Sequence, residues 1–361
     1  MWSSKRSPGP ALIRRLCKLR LPLEGTAAAL VRALCRETHS DDGAVFWFDP
    51  HGEVSNLYVQ ELPAPRELAG WFSPDPKQSA AQICAHDFQN GGAEEANPPK
   101  GSCPHRHVCV KAGPGWPPLQ RMCCAVMRGS APVASLVLYR PAAARPFGSG
   151  EQTVIKMAAR YLSMSAGVVV TDTSGAMYRA DGERALLLCE RDGSITRASA
   201  NGYCLLAQAS GCPINRKTVP EELEHSGRQF IRHLLEESAR AARSGAAGRS
   251  HTAVLINAWG MFRSRLFFES DDPMGVLIER VDHLLVRLCE AMRSLDLSVQ
   301  QCESLLLLAQ GMSHEGIAES MSISHNTVDY HIRHLYSKLG VHTRDDAIAC
   351  VLTAGETALR P

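Results

Sequence analysis

From Ser324 onward the apolar residues fall at Val328, Ile332, Leu335 and Leu339. Steps of four, three and four place them in one stripe along an amphipathic helix. Ile317, Ala318 and Met321 give a shorter preceding helix a matching face, and Ser322-Ile323 leaves room only for a tight turn between the two. Start and stop signals agree with this pattern. Ser298 followed by Gln301 is a capping box, Ser313 and Ser324 are further N-cap residues, and Gly311 and Gly340 sit where the preceding helices should end. Two closely joined helices, the second longer and polar on its outer side, are the shape of a helix-turn-helix.

Upstream, short apolar runs separated by turn residues predict two α/β units. Ala27, Leu30, Val31 and Leu34 mark one face of a helix over about 24–38. AVFWF (44–48), the turn Asp49-Pro50-His51-Gly52 and EVSNLYV (53–59) read as a hairpin. MCCAVM (122–127), Arg128-Gly129-Ser130 and PVASLVLY (132–139) read as a second one, and a capping box at Ser149-Gly150-Glu151-Gln152 opens a helix to about residue 167. In the second unit ALLLCE (185–190), Arg191-Asp192-Gly193 and SITRA (194–198) form a hairpin, followed by helices over 201–208 and about 224–243. Strands then follow at 252–258, 261–269 and 275–281. HLLVRLCEAMRSL (283–295) carries Leu284, Leu285, Leu288 and Met292 at helical spacing and predicts a rigid helical link into the helix-turn-helix. The expected division is a basic tail (1–22), a first α/β domain (23–168), a smaller second one (183–282), the link (283–296) and an all-α domain (297–361).

Composition adds bounds. With 361 residues, 45% of them apolar and 21% charged, the chain suits two or three ordinary folded domains. No run of 18 apolar residues occurs, since the best candidate, 153–170, is interrupted by Lys156 and Arg160, so no membrane partner is expected. Thirteen cysteines with no secretory signal predict a reducing, cytoplasmic setting. Residues 1–22 hold six Lys/Arg and no acid; they read as a solvated tail, or as an amphipathic helix over Ala11–Leu21 touching DNA or a membrane. From 297 to 361 there are four Lys/Arg and seven Asp/Glu, a balance near −3 that runs against phosphate binding unless histidines 314, 325, 331, 334 and 342 add charge.

One cluster offers other chemistry: Cys84, His86, Cys103, His105, His107 and Cys109, with Cys123 and Cys124 on the strand that follows. Thiolates and imidazoles at such spacing suit zinc or another transition metal, or a redox-sensing thiol, while the spacing matches no closed zinc module. Packing residues gathered by chance are the other reading. Cys123 and Cys124 are adjacent on a strand and point to opposite faces, so at most one joins any site. No H-E-x-x-H, G-x-S-x-G or phosphate loop is present, and no enzyme is expected.

The segment from Leu297 to Arg344 is similar to the C-terminal domain of LuxR-type transcriptional regulators. The match covers about 48 residues without a gap: LS, Glu303, LLLLAQG (305–311), Ser313, IAE (317–319), IS (323–324), TV (327–328), His331, KLGV (338–341) and Arg344. Gly316 and Gln301 stand where the family often has Glu, and Asp329 where it often has Lys. The resemblance implies four helices, with the one over 324–339 in the major groove and the last, near 343–354, at a dimer interface. It implies phosphate contacts from Ser324, Asn326, Thr327 and Lys338, and base reading by Asp329, Tyr330 and Arg333. Free N–H groups and the helix dipole favour phosphate at a helix start, and Arg333 suits guanine. Asp329 can only accept from the amino groups of cytosine or adenine. The order of elements over 23–168, with the closing RPFGSGEQ, resembles a GAF-type sensor domain, and that over 183–282 a PAS-like one. Cys103-Pro104 resembles the short segments that ligate haem in some regulators.

The expectation is therefore a multidomain chain, an α/β GAF/PAS-like sensor region followed by an all-α four-helix LuxR-type helix-turn-helix domain. Its function is expected to be sequence-specific binding of double-stranded DNA as a homodimer, with RNA polymerase and a small-molecule or redox effector as further partners. No cofactor is required for DNA binding, and a metal or haem at residues 84–109 is an option. The alternative is an interaction or dimerisation module that modulates another regulator without binding DNA itself.

Overall fold

The computed structural model describes residues 8–60, 62, 64–68, 119–165, 177–178, 182–243, 252–267 and 274–359. The first part comprises α1 (Pro8–Lys18), α2 (Leu23–Thr38), β1 (Asp42–Phe48), β2 (Val54–Val59) and the single turn α3 (Pro65–Leu68). After these come β3 (Leu119–Arg128), β4 (Ala131–Pro141) and α4 (Ser149–Ser165). Both hairpins form where the alternation predicts them. Their order in the sheet, β2-β1-β4-β3 and antiparallel throughout, comes from β1 pairing with β4, Val45 opposite Leu136. The helices α1, α2 and α4 pack on one another, and α2 and α4 lie on this sheet.

The expectation of a solvated tail at residues 1–22 does not hold over its described part. Residues 8–18 are helical, and Leu12, Ile13, Leu16 and Cys17 are at most 3% exposed. These four share one helical face, and α2 and α4 offer apolar surface that this face covers. Arg14 and Arg15 are half-buried, the Arg14 guanidinium 5.6 Å from the centre of the Tyr161 ring, while Lys18 and Arg20 stay exposed.

The helix α4 begins one residue from the expected cap, and half of a capping box replaces the full one. Gly148, not Ser149, takes the cap position, and Glu151 reaches back to accept from its N–H at 2.6 Å. The same carboxylate accepts from Arg140, a residue only 2% exposed, at 2.8 Å and from Arg145 at 2.7 Å. A tertiary partner thus selects which of two adjacent frames the cap uses.

The second sheet contains β5 (Arg184–Cys189), β6 (Ile195–Ala198), β7 (Thr252–Asn257), β8 (Gly260–Phe267) and β9 (Met274–Val281) in the antiparallel order β6-β5-β9-β8-β7, with α5 (Gly202–Ser210) and α6 (Glu221–Arg243) packed against it. Gly193 in the β5–β6 turn has φ 87°, and a Cβ there would come within 2.9 Å of the Arg228 carbonyl on α6, so both backbone and space require glycine. The two sheets meet through aromatic rings, Trp47 and Tyr58 lying 5.5 and 6.2 Å from Trp259.

Helices follow: α7 (Leu284–Ala291), a 3-10 turn (Met292–Ser294), α8 (Val299–Ala309), α9 (His314–Met321), α10 (His325–Leu339) and α11 (Arg344–Leu359). The link is shorter than the expected single helix over 283–295, because Leu295 is already extended (ψ 142°). It is also no free rod. Leu284, Leu285, Val286, Leu288, Cys289, Ala291 and Met292 are all buried, so α7 is apolar on nearly every side and sits among α1, α2, α8 and α11. Gly355 of α11 lies directly on Ala291, whose Cβ and Cα would be 2.5 and 2.9 Å from an added Cβ. Gly355→Leu is expected to cost about 1–3 kcal/mol by forcing the helices apart, read as a lower urea midpoint. No described helix is long and apolar enough to cross a membrane.

Candidate nucleic-acid interface

Two serine caps set the geometry of α9 and α10. The Gly316 N–H donates to Ser313 Oγ, and the Thr327 N–H to Ser324 Oγ, each at 3.2 Å. Upstream, the Ser298–Gln301 capping box is complete in both directions, at 3.1 and 2.8 Å. Between α9 and α10, Ser322 adopts a left-handed conformation (φ 55°), the tight turn that Ser322-Ile323 predicts. Leu308, Ile317, Ala318, Val328 and Ile332 close a small core under this turn and fix the crossing of the two helices. With 328, 332 and 335 turned inward, Asn326, Tyr330, Arg333 and Ser337 form the complementary outward stripe, and all four are exposed.

The residues expected to meet DNA occupy different surroundings. Ser324 and Thr327 share a hydroxyl–hydroxyl bond of 2.7 Å at the start of α10. Tyr330 is 57% exposed, its ring 4.2 Å from that of His334. Arg333 is exposed and makes no ion pair among the described residues. Lys338, also exposed, donates from Nζ to the Asp296 carbonyl at 2.7 Å and stands 3.6 Å from its carboxylate, so it is engaged within the chain. Asp329 is half-buried and engaged on both oxygens. Oδ1 lies 2.7 Å from His314 Nδ1 and Oδ2 3.4 Å from His325 Nδ1. His325 Nε2 in turn lies 3.5 Å from Glu315 Oε1. The backbone of Glu315 and the Ser313 hydroxyl hold the Glu315 carboxyl below its usual range, and the two histidines add to this.

This grouping of His314, His325 and Asp329 is absent from the sequence reading. The pair at 325 and 329 is legible as i,i+4 neighbours, but His314 joins them only through the turn between the helices.

The six-residue cluster from Cys84 to Cys109 lies outside the described residues. Cys123 and Cys124 are both buried on β3. Burial pushes the thiols of Cys17, Cys189, Cys204 and Cys289 up to about 12, which keeps them protonated and unreactive at neutral pH.

The GerE description, bacterial regulatory proteins of the luxR family, matches residues 295–351, the span from the end of the 3-10 turn into α11. SgaR of Hyphomicrobium methylovorum, a probable transcriptional regulatory protein, is 30% identical over 181 residues, which are 45% of this chain and 82% of that protein. The chain belongs to the luxR family of bacterial regulatory proteins. It is thus a member of a family of DNA-binding transcriptional regulators, and α8 to α11 are the part of this luxR-family chain that carries the family match. Among solved structures, a VqmA–ligand–DNA complex from Vibrio cholera is 19% identical, covering 50% of this chain and 85% of that one, with a TM-score of 0.26. A VqmA dimer of Vibrio cholerae without its target DNA is 21% identical, covering 48% and 83%, with a TM-score of 0.18.

Proposed function

We propose that this luxR-family chain binds a specific double-stranded DNA site as a homodimer, with α10 in the major groove. The observation that carries the reading is the exposed stripe of Asn326, Tyr330 and Arg333 beside a serine-capped helix start. The start of α10, with Ser324, Asn326 and Thr327, takes phosphate. Tyr330 and Arg333 reach base edges, Arg333 pairing with guanine. Lys338 serves the backbone at the far end after leaving Asp296. Asp329 contributes through the imidazoles it holds rather than as a free acceptor.

The two sheets with their helices are GAF-like and PAS-like sensor units, and an effector acting on them sets the spacing of two recognition helices, about 34–36 Å for adjacent major grooves. Support comes from α7, which is buried between the upstream helices and α8 and α11. A cavity of about 430 Å³ lies at this junction, lined by Arg32, Arg36, Glu183, Asp282, Arg287 and Arg293 among others.

Selection of genomic fragments by the full-length protein at two salt concentrations tests the reading. Enrichment of an inverted repeat is expected. Arg333→Ala should lose about 1–3 kcal/mol of discrimination at one base pair, and Lys338→Ala should weaken all sequences alike and lower the salt slope by about one. An Arg333 variant with wild-type selectivity would refute the assignment of that residue. The acidic balance of 297–361 favours a second reading, an interaction module for another regulator. Absence of any salt-dependent DNA binding would decide for it.

A further inference from the structure

We propose that His314, His325 and Asp329 form a binding site for one divalent transition-metal ion of the zinc class, bridging α9 and α10. The inference stands apart from the DNA-binding reading, since ion uptake is measured without DNA.

The ligand atoms of the three residues lie within 4.8 Å of one another. A tetrahedral ion with bonds near 2.0–2.2 Å keeps its ligand atoms roughly 3.3–3.5 Å apart. His325 Nδ1 and Asp329 Oδ2 already stand at 3.4 Å. The contact between His314 Nδ1 and Asp329 Oδ1 is 2.7 Å, a hydrogen bond that opens by less than an ångström to admit an ion, the Nδ1 proton passing to solvent or the ring taking its Nε2–H tautomer. Two imidazoles and one carboxylate are a donor set for zinc, cobalt, nickel or copper, and not for magnesium or calcium, which take oxygen.

Two further features fit an ion. His325 and Asp329 are one helical turn apart on α10, the spacing at which paired ligands face the same point. Glu315 Oε1 stands at 3.5 Å from His325 Nε2. A carboxylate there accepts the Nε2–H and leaves the Nδ1 lone pair turned toward Asp329, the outer-shell arrangement that orients metal-binding histidines. His314 and Asp329 are half-buried and His325 is exposed, so the fourth position is open to water. Each ligand is positioned by local structure: His314 and His325 are the first residues of helices capped by Ser313 and Ser324, and Ser322 sets the turn between them.

An ion at this place ties α9 to α10 and adds positive charge one residue from Asn326. It thereby offsets part of the acidic balance of the segment on the face where phosphate is proposed to lie.

The test is equilibrium dialysis of reduced, chelator-stripped full-length protein against Zn²⁺. Wild type is compared with His314→Ala, His325→Ala, Asp329→Asn and Glu315→Gln. Thiols and histidines elsewhere take up the same Zn²⁺ in every variant, so the readout is the difference from wild type. All four side chains are exposed or half-buried, and circular dichroism checks that each variant is folded. Each of the first three variants is expected to bind one equivalent fewer. Glu315→Gln is expected to keep the equivalent with affinity lowered about 10- to 100-fold. Wild-type stoichiometry and affinity in any of the three ligand variants would overturn the site.

Discussion

Replacing Glu151 with glutamine is expected to lower the stability of the first sheet and its helices by about 3–5 kcal/mol. Arg140 is only 2% exposed, and its guanidinium lies 3.8 Å from the centre of the Phe147 ring. It donates to the carbonyls of Thr38 and Arg145 and to Glu151 Oε1. Among these partners only Glu151 carries a countercharge, and glutamine keeps its shape while removing that charge. A buried guanidinium left without an anion is what makes the loss large. The thermal midpoint of that part should drop by on the order of 10 °C. Replacing the pair together, Arg140→Met with Glu151→Leu, should recover much of the loss, because an apolar pair of similar volume removes the uncompensated charge.

The dependence on pH follows from the same contacts. Burial alone would raise the Glu151 carboxyl, but hydrogen bonds from Arg140 and Gly148 and the charges of Arg140 and Arg145 hold it below its usual range. A lowered native value means that the contribution of Glu151 is fully present above the ordinary glutamate value, about 4.3, and is lost as pH falls through the native one. The stability gap between wild type and Glu151→Gln should therefore begin to narrow below about pH 4.3 and close as pH falls through the lowered native value. Urea melts at neutral and acid pH measure it, and a neutral-pH gap under 1 kcal/mol would show that water reaches Arg140.

Asp282→Ala is the second large effect, about 3 kcal/mol. Arg280 on β9 is 3% exposed, with Nε 3.2 Å from Asp282 Oδ1 and its remaining donors directed at Gln208 and Glu183. Glu183 is also the partner of Arg32 on α2, at 2.6 Å, so it compensates only in part. Arg32 reaches on to Glu290 of α7 at 3.2 Å. The loss should therefore spread along this ion network, from β9 through α2 to the helix that leads into the luxR-family segment. Hydrogen exchange should show faster exchange of α7 amides in the variant than in wild type. Wild-type protection of α7 with a lower global stability would place the network outside the coupling path.

Much of the local structure was legible. Serine caps, glycine stops and the 328–332–335–339 stripe are signals written within a few residues, and the helices α8 to α10 form where those signals fall. Hairpins were legible for the same reason, since a turn and its two strands are consecutive. Pairings between distant strands were not. The union of β5 with β9, Ala185 opposite Ile278, and of β1 with β4 depends on which apolar faces remain uncovered after local folding.

Sequence alone determined the type and approximate bounds of most described elements and the luxR-family character of the C-terminal segment, because periodicity and capping act over one or two turns. Tertiary structure decided the rest. It buried the N-terminal basic stretch as α1, moved the α4 cap to Gly148, ended the link at Ala291 and enclosed α7. It also placed His314 beside Asp329. Most of these turn on contacts outside the local segment: the apolar surface of α2 and α4 over α1, the Arg140 guanidinium on Glu151, the packing of Gly355 on Ala291 beside α7, and the crossing of α9 and α10. Burial and countercharge select among several locally acceptable arrangements, and neither is encoded within a single helical turn.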